Sequence, residues 1–348
     1  MLSRVANTLY WMVRYVERAD NMARLIDVNE QLLLDFEKID SMRLGGFWMP
    51  IVLATGDDEL FGELYDNAGS AEVIRFLAGD RRNPNSIVSC VALARENARM
   101  VRDQLSDELW EELNALYLFI TSDEGARLLR DDPPKFHATV RRSVLTFHGI
   151  AASTISRTQI WDFMDLGRYL ERADKTTRFL DISNFLPPGA DGTAGSPEVL
   201  HWNAILRSCG AMGAFRAEDG GEPGPLAVSR LLLFSATFPR SVRFCIRRVD
   251  ECLHGISGTQ QGTYADAAER ECGRLKAELD FGSAEEVYRS GLHDNLDHLQ
   301  SRFNTIGEAV FRSYVSMPEA MDMARESPPP SGAAAVAAWK LQQEQQQQ

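Results

Sequence analysis

Arg14-Tyr15-Val16-Glu17-Arg18-Ala19-Asp20 returns further along the chain as Arg168-Tyr169-Leu170-Glu171-Arg172-Ala173-Asp174. Between residues 14–27 and 168–181 the offset is a constant 154, with 8 identities in 14 positions, Arg24/Arg178 and Asp27/Asp181 among them. Most of the identities are charged. A duplicated helix ordinarily drifts the other way, because exposed charges change at little cost while core positions hold their class. Here the apolar positions exchange, Val16 for Leu170 and Ile26 for Leu180, and the ionic ones stay. The charges therefore have specific partners, whether in a buried network, an interface or a ligand site.

Working outward, Trp48, Ile51 and Gly56 meet Trp202, Ile205 and Gly210 at the same offset. After a one-residue insertion, Val73, Arg75, Leu77, Pro84, Ser86 and Cys90 meet Val228, Arg230, Leu232, Pro239, Ser241 and Cys245. Beyond Cys90 the match fades. The period is too long for a stacked solenoid, so the reading is one all-α helical bundle over residues 1–315, built from two tandem, related halves of about 1–155 and 156–315, with a low-complexity tail over 327–348.

The flanking sequence is helical in period. Val5, Leu9, Met12, Val16, Ala19, Ala23 and Ile26 alternate spacings of four and three, and Phe163, Leu166, Leu170, Ala173 and Leu180 repeat the stripe. Further helices are expected at roughly 48–55, 70–79, 85–104, 107–121, 135–155, 199–209, 226–236, 240–256, 263–281 and 285–315, and no alternating strand is found. Pro84 and Pro239 suit first helical turns. The stretches 187–198, which opens on Pro187-Pro188-Gly189, and 218–225 read as loops, and the tail from Ser327 reads as disordered or weakly helical.

Composition narrows the function. The chain has 348 residues, 44% of them hydrophobic, and a net charge of −13, with no dense basic block, which argues against nucleic acid or anionic lipid as the main partner. Five cysteines without a Cys-x-x-Cys pair read as reduced, packed thiols. Together with the lack of a signal peptide or a long apolar run, they place the protein in the cytoplasm.

On a helical wheel Glu17, Asp20, Arg24 and Asp27 share one ribbon beside the apolar stripe, with Arg14 and Arg18 further round. Arg24 sits four residues after Asp20 and three before Asp27, spacings that allow ion pairs with both. Glu171, Asp174, Arg178 and Asp181 reproduce the ribbon, and Arg168 and Arg172 the outer pair. A solvated ion-pair face and a buried network open to a cleft both fit. In a cleft the arginines would grip a carboxylate or phosphate in bidentate fashion. Arg95, Glu96, Asn97 and Arg99 form a second cluster, in which Arg95 and Glu96 face Asp250 and Glu251 at the repeat offset and the arginines at 95, 99 and 102 have no equivalent in the second half, so an asymmetric site or a plain exposed edge would lie in the first.

Other signals are sparse. Glu251-x-x-His254 occurs once, where di-metal bundles use the spacing twice. His293/Asp297 and Asp294/His298 make two i,i+4 pairs, but no further ligand source is visible, so no metal site is assigned. There is no nucleotide-binding loop and no nucleophile signature. Trp11, Trp48, Trp161 and Trp202 read as core anchors.

At these residues the chain resembles a known family, the bacterial alpha-E domain proteins, named for an all-helical fold with a Glu-Arg motif. The opening from Met1-Leu2-Ser3-Arg4-Val5-Ala6-Asn7 to Met12, followed by Arg14-Tyr15-Val16-Glu17-Arg18-Ala19, is similar to the family's N-terminal signature. Ala94-Arg95-Glu96-Asn97-Ala98-Arg99, Trp110-Glu111-Glu112-Leu113-Asn114 and Arg168–Asp174 are similar to further blocks. The resemblance covers roughly 1–315. It implies partners rather than a reaction, since family members tend to be encoded beside, or fused to, circularly permuted ATP-grasp proteins and transglutaminase-like proteins. ATP-grasp enzymes join a carboxylate to an amine through an acyl-phosphate, so the resemblance implies an accessory or substrate-binding subunit whose partner supplies ATP binding. On that expectation the chain binds the substrate or completes the ligase rather than catalysing alone, and no cofactor is assigned to it. The alternatives are a metal-dependent bundle enzyme using Glu251, His254, His293 and His298, and a scaffold.

Overall fold

The computed structural model describes residues 1–37, 48–185 and 197–315. The tail over 327–348 and most of the loop after Pro187 lie outside the described residues. Within them the chain is all-α, with sixteen helices and no strand. The first eight are α1 (Ser3–Glu37), α2 (Met49–Thr55), α3 (Asp58–Leu64), α4 (Ser70–Ile74), α5 (Ile87–Met100), α6 (Asp107–Thr121), α7 (Asp123–Asp131) and α8 (Pro133–Thr154). The second eight are α9 (Gln159–Asp181), α10 (Pro197–Ser208), α11 (Met212–Glu218), α12 (Pro225–Ser229), α13 (Val242–Ser257), α14 (Ala267–Phe281), α15 (Ala284–Ser290) and α16 (Leu292–Val310).

The two long helices that carry the repeated motif, α1 and α9, pack against each other along the middle of the molecule. Helices α5 and α8 flank α1, and α6 bridges them. Helices α13 and α16 flank α9, and α14 bridges those. Each central helix is thus enclosed on nearly every side. Leu9, Met12, Val16, Ala19 and Ile26 of α1 and Leu166, Leu170, Ala173 and Leu180 of α9 are at most 1% exposed, and burying a large aliphatic side chain stabilises by roughly 1.5–3 kcal/mol. The backbones approach most closely where Gly167 meets Tyr10. A Cβ at 167 would lie 2.4 Å from the Tyr10 carbonyl oxygen, so this crossing requires glycine.

Local chemistry sets the helix ends. Ser86 and Ser241 cap α5 and α13 by accepting hydrogen bonds from the Ser89 and Phe244 amides, which satisfies donors that the first turn leaves free. Pro84 and Pro239 lie two residues before these caps rather than in the first turn. Their carbonyls accept the Cys90 and Cys245 thiols instead. All five cysteines are free and buried. Short π-helical segments follow α4 at Arg75–Gly79 and α12 at Arg230–Phe234. Helices α3, α7 and α11 were not expected, and the single helix expected over 285–315 breaks at Gly291, whose φ of 105° favours glycine. No described helix is long and apolar enough to cross a membrane.

Candidate functional site

Where α1 and α9 face each other, their Glu-Arg steps exchange partners. Glu171 receives Arg18 at both oxygens, Nε to Oε1 at 2.6 Å and Nη2 to Oε2 at 3.1 Å. Reciprocally, Glu17 receives Arg172, Nε to Oε1 at 2.8 Å and Nη2 to Oε2 at 2.9 Å. Both carboxylates are fully buried. Two-point pairing of a planar guanidinium with a carboxylate is directional as well as strong, so the two pairs fix the register of α1 on α9.

Each carboxylate has further company. Arg14 Nε lies 2.8 Å from Glu171, and Lys175 Nζ lies 3.9 Å from it. Arg240 Nη1 stands 3.2 Å and His148 Nε2 3.1 Å from Glu17. Burial by itself would push both glutamates up, but the arginines around them hold both below the usual carboxylate range. Burial, with Arg168 nearby, brings His148 down to about 4. His148 is therefore neutral at pH 7 and donates from Nε2 to Glu17.

The ladder continues along both helices. Arg24 Nε pairs with Asp20 at 2.7 Å and Arg178 Nε with Asp174 at 2.9 Å, each one turn apart. Arg240 also reaches Asp20, and Lys175 also reaches Asp174. The expected Arg24–Asp27 and Arg178–Asp181 pairs are not formed among the described residues. Asp27 turns to Arg141 of α8 at 2.7 Å, and Asp181 to His293 of α16 at 2.8 Å. Cross-helix partners won over neighbours on the same helix because the outer helices bring a basic side chain, Arg141 or His293, to each aspartate.

Arg168 stands apart from its sequence counterpart Arg14. Its Nη1 lies 3.8 Å from Asp165 and its buried Nε has no hydrogen-bond partner among the described residues. The Arg95 cluster is also separate from the ladder. Arg95 bonds Glu96 and Asn114 and lies against the Trp110 and Tyr117 rings, tying α5 to α6, while Arg99 pairs with Glu96 in the open. Asn97 is half-buried beside them. Exposed Glu251 pairs with half-buried Arg248, and both ring nitrogens of His254 lie within 3.1 Å of the Asp250 and Thr263 carbonyls. Neither joins His293.

One end of the ladder opens into a cavity of about 550 Å³ between the start of α1 and the end of α16. Arg14 and Arg18 stand on its wall with Tyr10, Trp11, Phe163, Phe303 and Phe311. Arg14 Nη1 donates to the Tyr10 hydroxyl at 2.9 Å, and its guanidinium lies 4.8 Å from the Trp11 ring centroid. Trp48 and Trp202 are buried core residues as expected. Trp11 is instead a cavity wall, and half-buried Trp161 stacks under Arg157 at 3.6 Å. His148, Lys175 and Arg240 had not been singled out in the sequence. At the repeat offsets Arg240 faces Asn85 and Lys175 faces Asn21, so comparing the copies conceals them.

A family model described as "a predicted alpha-helical domain with a conserved ER motif" matches residues 1–315. The chain belongs to the Alpha-E family. Its Glu-Arg steps at 17–18 and 171–172 are the two halves of the reciprocal pairing. Relatives of this Alpha-E chain include uncharacterized proteins of Mycobacterium bovis and Mycobacterium tuberculosis, each 26% identical over 91% of this chain. The match covers 37% of those relatives' length, so the chain corresponds to little more than a third of each. No solved structure matches.

Proposed function

We propose that this Alpha-E chain is the substrate-binding helical subunit of a cytoplasmic peptide or protein modification system that forms amide bonds, acting with a circularly permuted ATP-grasp protein and with a transglutaminase-like protein as a further companion. The observation that carries the reading is the cavity with Arg14 and Arg18 on its wall. An apolar, aromatic pocket with a few convergent polar groups is the usual form of a small-ligand site. Arg14 spends Nε on Glu171 and Nη1 on Tyr10, and its Nη2 makes no hydrogen bond among the described residues. That group is available to a carboxylate whose apolar body lies against Trp11 and Phe303. The partner would phosphorylate the carboxylate with ATP, releasing ADP, and an amine would then displace phosphate to leave the amide.

The two halves are read here as copies of one four-helix unit, α1-α5-α6-α8 and α9-α13-α14-α16, joined through the Glu-Arg exchange. The matched caps, π-helical segments and buried cysteines support that reading. A scaffold role has its own support, because each glutamate of the ladder is already paired within the chain.

Co-expression with the ATP-grasp protein of the same host separates the two. The binding reading expects a complex in which this chain speeds ADP formation, and Arg14→Ala to keep the complex but lose the acceleration. A complex whose ATP turnover ignores both the chain and Arg14→Ala leaves the scaffold, and the absence of any complex removes the partnership.

A further inference from the structure

The geometry points to a divalent transition-metal site made by Asp181, His293 and Asp297 where the end of α9 meets the start of α16. His293 Nδ1 lies 2.8 Å from Asp181 Oδ1, and its Nε2 lies 3.7 Å from Asp297 Oδ2. One donor atom from each of the three lies within 4.8 Å of the others; the two aspartates face opposite nitrogens of the ring, so the side chains must rotate to bring both carboxylates and one nitrogen around an ion with bonds of about 2.0–2.2 Å. The sequence offered two i,i+4 pairs on this helix and no third ligand. The fold supplies it to only one of them. Asp181 reaches His293, and among the described residues no hydrogen bond or ion pair joins it to Asp294 or His298.

The matching position of the first half argues that this is more than an ion pair. There Asp27 is neutralised by Arg141, a permanent cation that binds no metal, and accepts a hydrogen bond from Gln31. At Asp181 the partner is an imidazole, which is a metal ligand, and a second carboxylate, Asp297, sits one turn along the helix from it. Phe185 packs edge-on to the ring at 5.8 Å and restricts its rotation.

The donors are one nitrogen and two oxygens, with every cysteine buried in the core. That set suits zinc, cobalt or manganese. Calcium and magnesium take all-oxygen shells of six or more ligands. Bound there, the ion would pin α16 to α9. The site is separate from the cavity and does not depend on the substrate-binding reading.

The test uses the full-length chain, stripped with chelator and titrated with cobalt chloride followed by visible absorption, then with zinc chloride by calorimetry and thermal melting. One equivalent should bind, with d–d bands for cobalt and a raised melting temperature for zinc. Asp297→Asn, at a side chain 60% exposed, should weaken binding by at least about tenfold without disturbing the fold. His293→Ala should abolish the bands, and the double variant Asp294→Asn/His298→Ala should leave them unchanged. Less than a tenth of an equivalent of bound metal overturns the proposal. So does binding that survives Asp297→Asn and His293→Ala intact, or that is lost in the Asp294→Asn/His298→Ala variant.

Discussion

Glu171 and Glu17 stand in the same motif on two adjoining helices, yet their surroundings differ. Around Glu171 the arginines are Arg14 and Arg18, both on the cavity wall. Around Glu17 they are Arg172 and Arg240, with His148 closing the third side. The exchange position is shared. The change lies in the second and third partners, since Arg14 and Lys175 reach Glu171 while Arg168, at the position matching Arg14, leaves Glu17 to residues from α8 and the turn before α13. The Glu-Arg exchange is thus common to both ends, while one end is open and the other is filled in.

The largest expected effect tests that contrast. Removing one member of a buried pair costs roughly 3–5 kcal/mol, because the partner charge stays behind in a poor solvent. Glu17→Ala should reach that range, with Arg172 and Arg240 left facing each other. Glu171→Ala should cost about 1–2 kcal/mol less, since the released Arg14 and Arg18 can turn toward water in the cavity. Urea unfolding of the two variants gives the order directly. If Glu171→Ala proves the more damaging, the open end is the structural one and the contrast is inverted.

Protonation sharpens the same comparison, because only the Glu17 end has a histidine. His148 is brought down to about 4 from an ordinary 6.5 by burial and Arg168, so the unfolded chain binds the extra proton first. Its contribution is complete above pH 6.5 and is lost as pH falls from there toward 4. By linkage that is roughly 2 kcal/mol between pH 7 and pH 5. The glutamates, held low, add a loss that begins only below about pH 4.5. His293 is held up by Asp181 and acts with the opposite sign, so the informative quantity is the difference between the native chain and His148→Gln. The variant keeps a donor for Glu17 and should have a flatter stability profile from pH 7 to 5. Parallel profiles would show that His148 is not the group that titrates.

The charged repeat made the joint legible before any coordinates, because ionic identities in two copies are hard to explain on a solvated face. Which arginine binds which glutamate was not legible. The exchange is between helices, and a wheel reports only neighbours on one helix, which is also why Asp27 was matched to Arg24 rather than to Arg141. Helices α3, α7 and α11, of 7 to 9 residues, span about two turns and are too short for a 3.6-residue period to stand out. Trp11 shares a face of α1 with Arg14 and Arg18, three and seven residues on, and only the position of α16 shows that the space in front of it is a cavity. Arg240 escaped notice because Asn85 stands at its repeat offset, and His148 because it lies beyond Cys90, where the match fades.

The smallest effect concerns a place where the two ends agree. Gly56 and Gly210 end α2 and α10 with φ of 76° and 63°, and an alanine in that left-handed region costs on the order of 1 kcal/mol. Each glycine also faces the ladder of the other half. A Cβ on Gly56 would lie 3.1 Å from Arg178 Nη1, and one on Gly210 would lie 3.6 Å from Arg24 Nη1. The first distance requires the guanidinium to shift and loosens its bond to Asp174, whereas the second is ordinary contact. Gly56→Ala should therefore lower the melting temperature more than Gly210→Ala, by a margin worth a few tenths of a kcal/mol. Equal losses would mean that backbone strain alone is being measured. A larger loss at Gly210 would place the tighter packing around Arg24, at the Glu17 end, where Arg240 already crowds Asp20.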